Sequence, residues 1–202
     1  MLGFTIGSFV LFAATVLLLV ASISPPTVAK LGFLNYHTAG TVVRFGVFGA
    51  CRTGSGLANQ CTSRSVGYNL NAVVAGFDFS DGMSNATRAF ILHPIACGVS
   101  FIGFLIAFFS DRFGLICSSL ITFVAFILSL ICMAVDFAVF LYVRRHINSH
   151  AQGGASANLA VSIWLVLAAT ILLFLAQFIV LFECCCGGGK KKRQQAPMKE
   201  VA

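Results

Sequence analysis

The sequence FGVFGACRTGSGLANQC, residues 45–61, lies in a long polar segment of a chain that is otherwise rich in apolar stretches. Most residues from 41 to 48 are β-branched or aromatic, which predicts a strand. Gly46 in this strand and Gly49 directly after residue 48 indicate a bulge or the close approach of another backbone. The Gly/Ser/Asn-rich residues 52–60 predict a turn, and residues 67–70 are predicted to return as the partner strand. The stretch therefore predicts a β-hairpin.

Two cysteines, Cys51 and Cys61, flank the predicted turn. A disulfide between them would close the hairpin and, in the chain-entropy treatment, stabilise it by about 3 kcal/mol. Such a bond forms in an oxidising compartment, so it would place the polar segment outside the cytosol. The alternative is a pair of free thiols.

The composition indicates a membrane protein. Of 202 residues, 58% are hydrophobic and only 9% are charged, whereas a soluble domain carries about a quarter charged residues. The formal net charge is +7, which by itself would suit nucleic acid. However, the dense basic run directly follows an apolar segment, which is typical of a membrane flank, and we expect no nucleic-acid partner.

Four apolar stretches are long enough to cross a bilayer as helices, because a span needs roughly 20 residues. We therefore predict an all-α membrane protein, a four-transmembrane-helix bundle with a small disulfide-clipped extracellular β-sheet. The third span is longer than needed, so it tilts or projects beyond the lipid. The alternative for the first span is a cleaved signal peptide, although it lacks a basic n-region. The predicted spans lie at about residues 2–23, 89–110, 114–143 and 159–182, within a membrane domain of residues 1–186 that has an outer loop at 24–88.

Orientation follows from local signals rather than from the count of basic residues. With both termini inside, seven basic residues fall outside, against the positive-inside rule. Five of them lie in the long loop, which contributes little to that rule, whereas Arg144 and Arg145 do not and still count against this orientation. The predicted disulfide and a glycosylation sequon at Asn85 both place the long loop outside, although the sequon lies close to the membrane. We therefore expect a multi-pass membrane protein with both termini cytosolic.

The C-terminal flank supports the same orientation. Cys184, Cys185 and Cys186 resemble a juxtamembrane palmitoylation site. They precede the short basic tail, residues 187–202, in which Lys190, Lys191, Lys192 and Arg193 form a polybasic patch suited to anionic lipids. The alternative is a plain stop-transfer flank with unmodified thiols.

The string Phe-Gly-Val-Phe-Gly-Ala-Cys, then Cys61 and the triplet Val-Gly-Tyr at 66–68, resembles the fungal PalI family of pH-response regulators, relatives of the SUR proteins in the claudin-like tetraspan superfamily. The resemblance extends from residue 1 to about 186. Many PalI-like proteins carry a long cytosolic tail, whereas this sequence ends at Ala202, so we expect any role to rest on the helices, the outer loop or the basic end. The residues that match the family motif are Phe45, Gly46, Val47, Phe48, Gly49, Cys51, Gly67 and Tyr68.

The resemblance implies a role at the plasma membrane. PalI-type proteins assist the surface localisation or stability of a seven-span sensor in ambient (alkaline) pH signalling. The SUR branch instead implies a structural organiser of membrane domains, which acts through lipid binding and self-association into a homo-oligomer. Either role makes membrane lipids and other membrane proteins the expected partners, and neither is enzymatic.

Asp136 is the one charged residue well inside a predicted span. A charge there is costly, so it requires a partner or a function. His93, near the outer end of the second span, is the candidate partner that lies closest to the depth of Asp136 in the membrane. We therefore predict that Asp136 and His93 form a candidate intramembrane polar pair. The alternatives are a protonated Asp136 or a hydrogen bond to a neighbouring hydroxyl.

Residues for catalysis or metal binding are scarce. We find no zinc-ligand spacing, Walker loop or nucleophile elbow, so we expect no enzyme, no cofactor and no metal. The four histidines fall on or near the outer side in the predicted topology. Because histidine titrates near pH 6.5, a direct response of this protein to pH is a further hypothesis.

Overall fold

The computed structural model describes residues 2–38, 40–54, 57–73, 86–109, 112–150 and 154–186. The helices are α1 (Leu2–Ser22), the short α2 (Leu70–Val73), α3 (Leu92–Phe109) preceded by a 3-10 turn (Ala89–Ile91), α4 (Arg112–His150) and α5 (Val161–Cys186). The strands are β1 (Leu34–Thr38), β2 (Thr41–Phe45), β3 (Ala50–Gly54), β4 (Leu57–Cys61) and β5 (Ser156–Leu159).

The long helices form a bundle. Within the described residues, α1 and α4 each pack against both α3 and α5. Three helices, over Ala86–Phe109, Ile116–His150 and Val161–Phe182, are long and apolar enough to cross a membrane. Helix α1 is also apolar and has 21 residues. In such helices every interior backbone group is paired within its own segment, as a lipid environment demands.

The outward surface of the bundle is apolar. Phe9, Phe109 and Phe182 are 70%, 77% and 69% exposed, and exposed Leu, Ile and Phe side chains continue along all four long helices. An apolar surface of this extent marks contact with lipid or protein rather than with water. The chain is therefore a helical membrane protein.

The sheet lies at one end of the bundle and has five antiparallel strands in the order β4-β3-β2-β1-β5. Leu34 of β1 pairs with Phe45 on one side and with Leu159 on the other. Because β5 comes from the connection between α4 and α5, the sheet joins the two polar segments of the chain.

The predicted hairpin is wrong in three respects. First, the strand stops at Phe45, and Gly46 to Gly49 form the turn between β2 and β3. Second, most of residues 52–60, predicted as a turn, belong to strands β3 and β4. Third, residues 67–70 do not return as a strand: Gly67 lies in a turn, and Leu70 begins α2. The small polar residues of 52–60 suited a turn locally, but β3 pairs with β2 and β4 pairs with β3, so most of them lie in strands.

Helix α4 explains the long third apolar stretch. Its 39 residues extend roughly 58 Å, nearly twice the hydrocarbon thickness. The excess packs along the sheet, where Ile147 is fully buried. Asn148 accepts a hydrogen bond from Ala157 N–H at 2.8 Å and donates one to Ala157 O at 3.2 Å, which fastens β5 to α4. Strand β5 was not predicted, and it includes Leu159, where the fourth span was expected to begin.

The interior divides into two clusters. The sheet-end core lies between the sheet and the helix ends, and its fully buried members include Phe33, Leu34, Phe45, Phe90, Phe140 and Ile163. The mid-bundle core lies among the helices and is built mainly from small residues, with Leu11, Leu18 and Leu173 among Ala14, Ala96, Ala107, Ala125, Ala169 and Ala176. Small side chains allow helices in lipid to approach closely.

Candidate functional site

The motif turn, Gly46 to Gly49, is closed by a hydrogen bond from Gly46 N–H to Gly49 O at 2.8 Å. The chain leaving α1 passes directly against it. A Cβ added at Gly46 would overlap the Pro25 carbonyl oxygen and lie 2.6 Å from Pro25 N. Glycine is therefore required at this position, because only a residue without a side chain admits this contact.

Two further segments hold the motif turn. Tyr68, which follows β4, donates its hydroxyl hydrogen to Gly46 O at 3.0 Å. Ser24, which follows α1, accepts a hydrogen bond from Val47 N–H at 2.9 Å. Burial raises the pKa of Tyr68 above its ordinary 10.0, and the nearby charge of Asp136 acts in the same direction. Tyr68 therefore stays protonated, and remains a donor to the turn, at neutral and moderately alkaline pH.

The backbone next to Tyr68 is held by a glycine in a left-handed conformation and by a side-chain hydrogen bond. Gly67 has φ +75°, a left-handed conformation that glycine adopts readily, and a Cβ there would overlap Arg88 Cγ. Thr87, the third residue of the predicted sequon, is fully buried and donates a hydrogen bond to Tyr68 O at 3.2 Å. Asn85 itself lies outside the described residues.

The disulfide joins Cys51 and Cys61, which face each other on β3 and β4. It fastens two neighbouring strands of the sheet. Beside it, Thr62 N–H donates to Ala50 O at 2.9 Å, and Ala50 N–H donates to Thr62 Oγ1 at 3.0 Å. A Cβ at Gly49 would overlap Thr62 Oγ1, so the disulfide, the end of β4 and the motif turn form one packed unit.

Below the motif turn, the structure brings His93 of α3 and Asp136 of α4 together. His93 Nε2 lies 3.0 Å from Asp136 Oδ2, and the two side chains are 1% and 0% exposed. Phe33 and Phe90 both stack on Phe140 at 5.4 Å between ring centroids, and both present edge contacts to the His93 ring. These rings form an aromatic cage that keeps the pair from water.

The geometry determines how many protons the pair holds. His93 Nδ1 lies 3.2 Å from Phe90 O, and because a carbonyl oxygen only accepts, this nitrogen carries a hydrogen. The Nε2–Oδ2 contact then holds one proton, either as imidazolium and carboxylate or as neutral imidazole and carboxylic acid. Asp136 Oδ1 is buried without a hydrogen-bond partner in the described part of the chain. Asp136 Oδ1 can therefore accept a hydrogen bond from one more donor.

Residues 3–176, which include the motif turn, the disulfide and the pair, match the SUR7/PalI family model. The chain belongs to the SUR7/PalI family. The resemblance to PalI drawn from the motif is thereby confirmed.

Two relatives in the SUR7/PalI family are curated proteins. The chain is 32% identical over 145 residues, 65% of its length, to the pH-response regulator protein palI/prr-5 of Neurospora crassa. It is 31% identical over 173 residues, 81% of its length, to the pH-response regulator protein palI/RIM9 of Yarrowia lipolytica. These matches cover 20% and 21% of the two relatives, so the chain spans about a fifth of the length of each.

The remaining predicted residues of this SUR7/PalI member are described only in part. Cys184, Cys185 and Cys186 form the last turn of α5. The basic run of residues 190–193 lies outside the described residues. Of the other histidines, His37 and His150 are exposed on the sheet side. Among the described residues, no group of three His, Cys, Asp or Glu side chains could hold a metal ion.

The sequence reasoning missed the polar contacts between helices. Thr15 of α1 and Ser100 of α3 share a hydrogen bond at 3.1 Å, and Ser129 of α4 and Thr170 of α5 share one at 2.7 Å. Gln177 of α5 donates a hydrogen bond to Ser119 of α4 at 3.2 Å. The available signal was the recurrence of hydroxyl residues in otherwise apolar spans, but sequence alone does not show which of them face each other.

Proposed function

We propose that this protein is a non-enzymatic accessory component of ambient (alkaline) pH signalling at the plasma membrane, which assists the surface localisation or stability of a seven-span sensor. The observation that carries the proposal is membership of the SUR7/PalI family, with two relatives that are both named pH-response regulators. Since the chain spans about a fifth of each relative, the role is proposed for the domain that they share.

The proposed topology has four spans, with α1 as the fourth membrane helix and both termini in the cytosol. Its support is the Cys51–Cys61 disulfide in the sheet, since such bonds persist outside the cytosol. The sheet then faces the exterior, and the apolar outer faces of the helices are available to a membrane partner. The partner would be recognised by the sheet and by the neighbouring helix faces together.

Two modifications would act on the cytosolic side. Acylation of Cys184, Cys185 or Cys186 would alter lateral sorting or helix tilt, because the helices already provide attachment. The basic residues Lys190 to Arg193 would add attraction to anionic lipids of about 1 kcal/mol per charge near the surface. Glycosylation at Asn85 is a weaker proposal, because the sequon's Thr87 is buried.

The test measures the surface level of the seven-span sensor at alkaline pH. Cells lacking this protein would be compared with cells that express the natural protein, Gly46→Ala or the matched control Gly98→Ala, which has open space around it. We expect the sensor level to fall without the protein and with Gly46→Ala, and to recover with Gly98→Ala. The surface level of this protein is measured in parallel, so that loss of the protein is not mistaken for loss of its action.

An unchanged sensor level in the cells that lack the protein would contradict the proposal. In that case the distribution of this protein in cells without the sensor becomes the deciding observation. Clusters that persist there would favour the structural organiser of membrane domains, with self-association and lipid binding as its mechanism.

A further inference from the structure

A hollow of about 420 Å³ opens at the sheet end of α1, where the motif turn meets the segment that follows β4. Its volume falls in the range of small-molecule sites, roughly 300–1,000 Å³. The hollow is lined by Ser22, Ile23, Thr27, Phe48, Arg64, Ser65 and Val66.

The lining separates into two kinds of side chain. Ile23, Phe48 and Val66 supply apolar surface, and Ile23 and Val66 are 37% and 49% exposed. Arg64 and the hydroxyl residues supply polar groups. Arg64 is exposed and forms no salt bridge among the described residues. An apolar wall beside an exposed guanidinium fits an amphiphile with an anionic head.

An apolar stripe on α1 leads into the hollow. Phe12, Val16 and Leu19 follow one another at spacings of four and three residues, so they share one face of α1. Ile23, the residue after the helix, continues this face, because its N–H still donates to Leu19 O at 3.0 Å. The four side chains are 46%, 38%, 47% and 37% exposed, because the other faces of α1 pack on α3 and α5. The stripe runs along the lipid-facing surface and ends at the hollow.

We propose that the hollow binds the phosphate of a membrane phospholipid, with Arg64 as the anion-binding residue and one acyl chain lying along the stripe of α1. The continuity of the stripe with the hollow identifies a lipid rather than a soluble anion. A lipid bound in this way touches α1, the motif turn and the segment after β4 at once, so it would join the helical bundle to the sheet. This site does not depend on the proposed role in pH signalling.

The test uses the purified full-length protein in detergent, with a phospholipid that carries a photoactivatable diazirine in one acyl chain. We expect crosslinks to concentrate on the α1 stripe rather than on the exposed apolar face of α4. Arg64→Ala should lower this crosslinking by about fivefold, the effect expected for one charge near a lipid phosphate. Arg145→Ala, which removes an exposed charge at the sheet end of α4, is the matched control and should leave it unchanged.

A second variant and two competitors make the result decisive. Val66→Trp fills the hollow from an exposed position and should lower crosslinking as Arg64→Ala does, with elution on gel filtration showing that both variants fold. Unlabelled phospholipid should displace the probe, whereas diacylglycerol, which has the same tails without phosphate, should not. Equal crosslinking in the Arg64 and Arg145 variants, or equal competition by diacylglycerol, would overturn the site. Displacement by inorganic phosphate alone would replace the lipid with a free anion.

Discussion

The sheet-end core and the mid-bundle core are stabilised in different ways. The sheet-end core contains stacked aromatic rings, the hydrogen-bonded pair of His93 and Asp136, and glycines in close contact with backbone or side chains, contributed by segments far apart in the chain. The mid-bundle core contains alanines and hydroxyl pairs between adjacent helices. The sheet-end core therefore depends on a few specific contacts, whereas the stability of the mid-bundle core is distributed over many similar ones.

The energetic reason lies in the cost of losing one partner. An interhelical hydrogen bond in a membrane protein contributes about 0.6 kcal/mol on average. Removal of one partner of a buried ion pair costs about 3–5 kcal/mol, because the other partner is left buried without compensation. Changes at the sheet end should therefore have large effects, and equivalent changes in the mid-bundle core should have small ones.

The largest effect is expected for Asp136→Ala. The substitution leaves His93 buried in the aromatic cage without its partner, and should lower the free energy of unfolding by about 3–5 kcal/mol. Denaturation by SDS in mixed micelles, followed by circular dichroism, measures the change. The buried thiol of Cys132, one turn before Asp136, provides a local probe, and its labelling by a thiol reagent should accelerate relative to the exposed Cys117.

The control for Asp136→Ala is Ser129→Ala in the same helix. This change removes the hydrogen bond to Thr170 in the mid-bundle core and should cost only about 0.6 kcal/mol. If the two substitutions had similar effects, the contrast between the two cores would be lost.

Reduction of the Cys51–Cys61 disulfide should cost about 3 kcal/mol, from the entropy that the unfolded chain regains when a short loop opens. The double variant Cys51→Ser with Cys61→Ser should show the same loss without reductant. Both would be measured as the midpoint of unfolding in mixed micelles, with and without dithiothreitol. An effect of dithiothreitol on the double variant as large as on the natural protein would assign the loss to another bond.

Gly46→Ala should lower stability by about 1–3 kcal/mol, the usual cost of forcing an extra carbon into a filled space. The new methyl group would overlap the backbone of Pro25. The matched control is Gly98→Ala on α3, which meets nothing within 4 Å and should be neutral or stabilise the helix by up to about 1 kcal/mol. The melting temperatures of the two variants would be compared by thermal unfolding. Equal values would contradict the close contact between Gly46 and Pro25.

Tyr68→Phe should have the smallest effect at the sheet end, about 1 kcal/mol, through loss of the hydrogen bond to Gly46 O. Its pH dependence is diagnostic. Because the pKa of Tyr68 is raised in the folded state, the unfolded chain releases that proton first, and stability falls as pH rises above roughly 10. The variant should lose less stability over that range than the natural protein. Parallel curves for the two proteins would show that Tyr68 does not titrate differently on unfolding.

Several features of the site were predictable from local sequence. The disulfide follows from two cysteines in one polar loop, and the charged residue in an apolar span indicated that Asp136 needs a partner. The hairpin boundaries were wrong because strand propensity describes single segments, whereas the turn at Gly46 to Gly49 results from packing against Pro25, Ser24 and Tyr68. Strand β5 was missed because its four residues, Ser-Ala-Asn-Leu, carry little intrinsic preference and pair only once β1 is in place.

The sequence by itself determined the membrane character, the apolar helices and the family, since each of these depends on composition, on length or on a short motif. Only the tertiary structure decided which hydroxyl groups meet inside the bundle, because residues 41 positions apart, such as Ser129 and Thr170, come together through helix packing. The tertiary structure also explains the glycines of the motif. Backbone or side-chain atoms of distant segments occupy the space that a side chain at these positions would need.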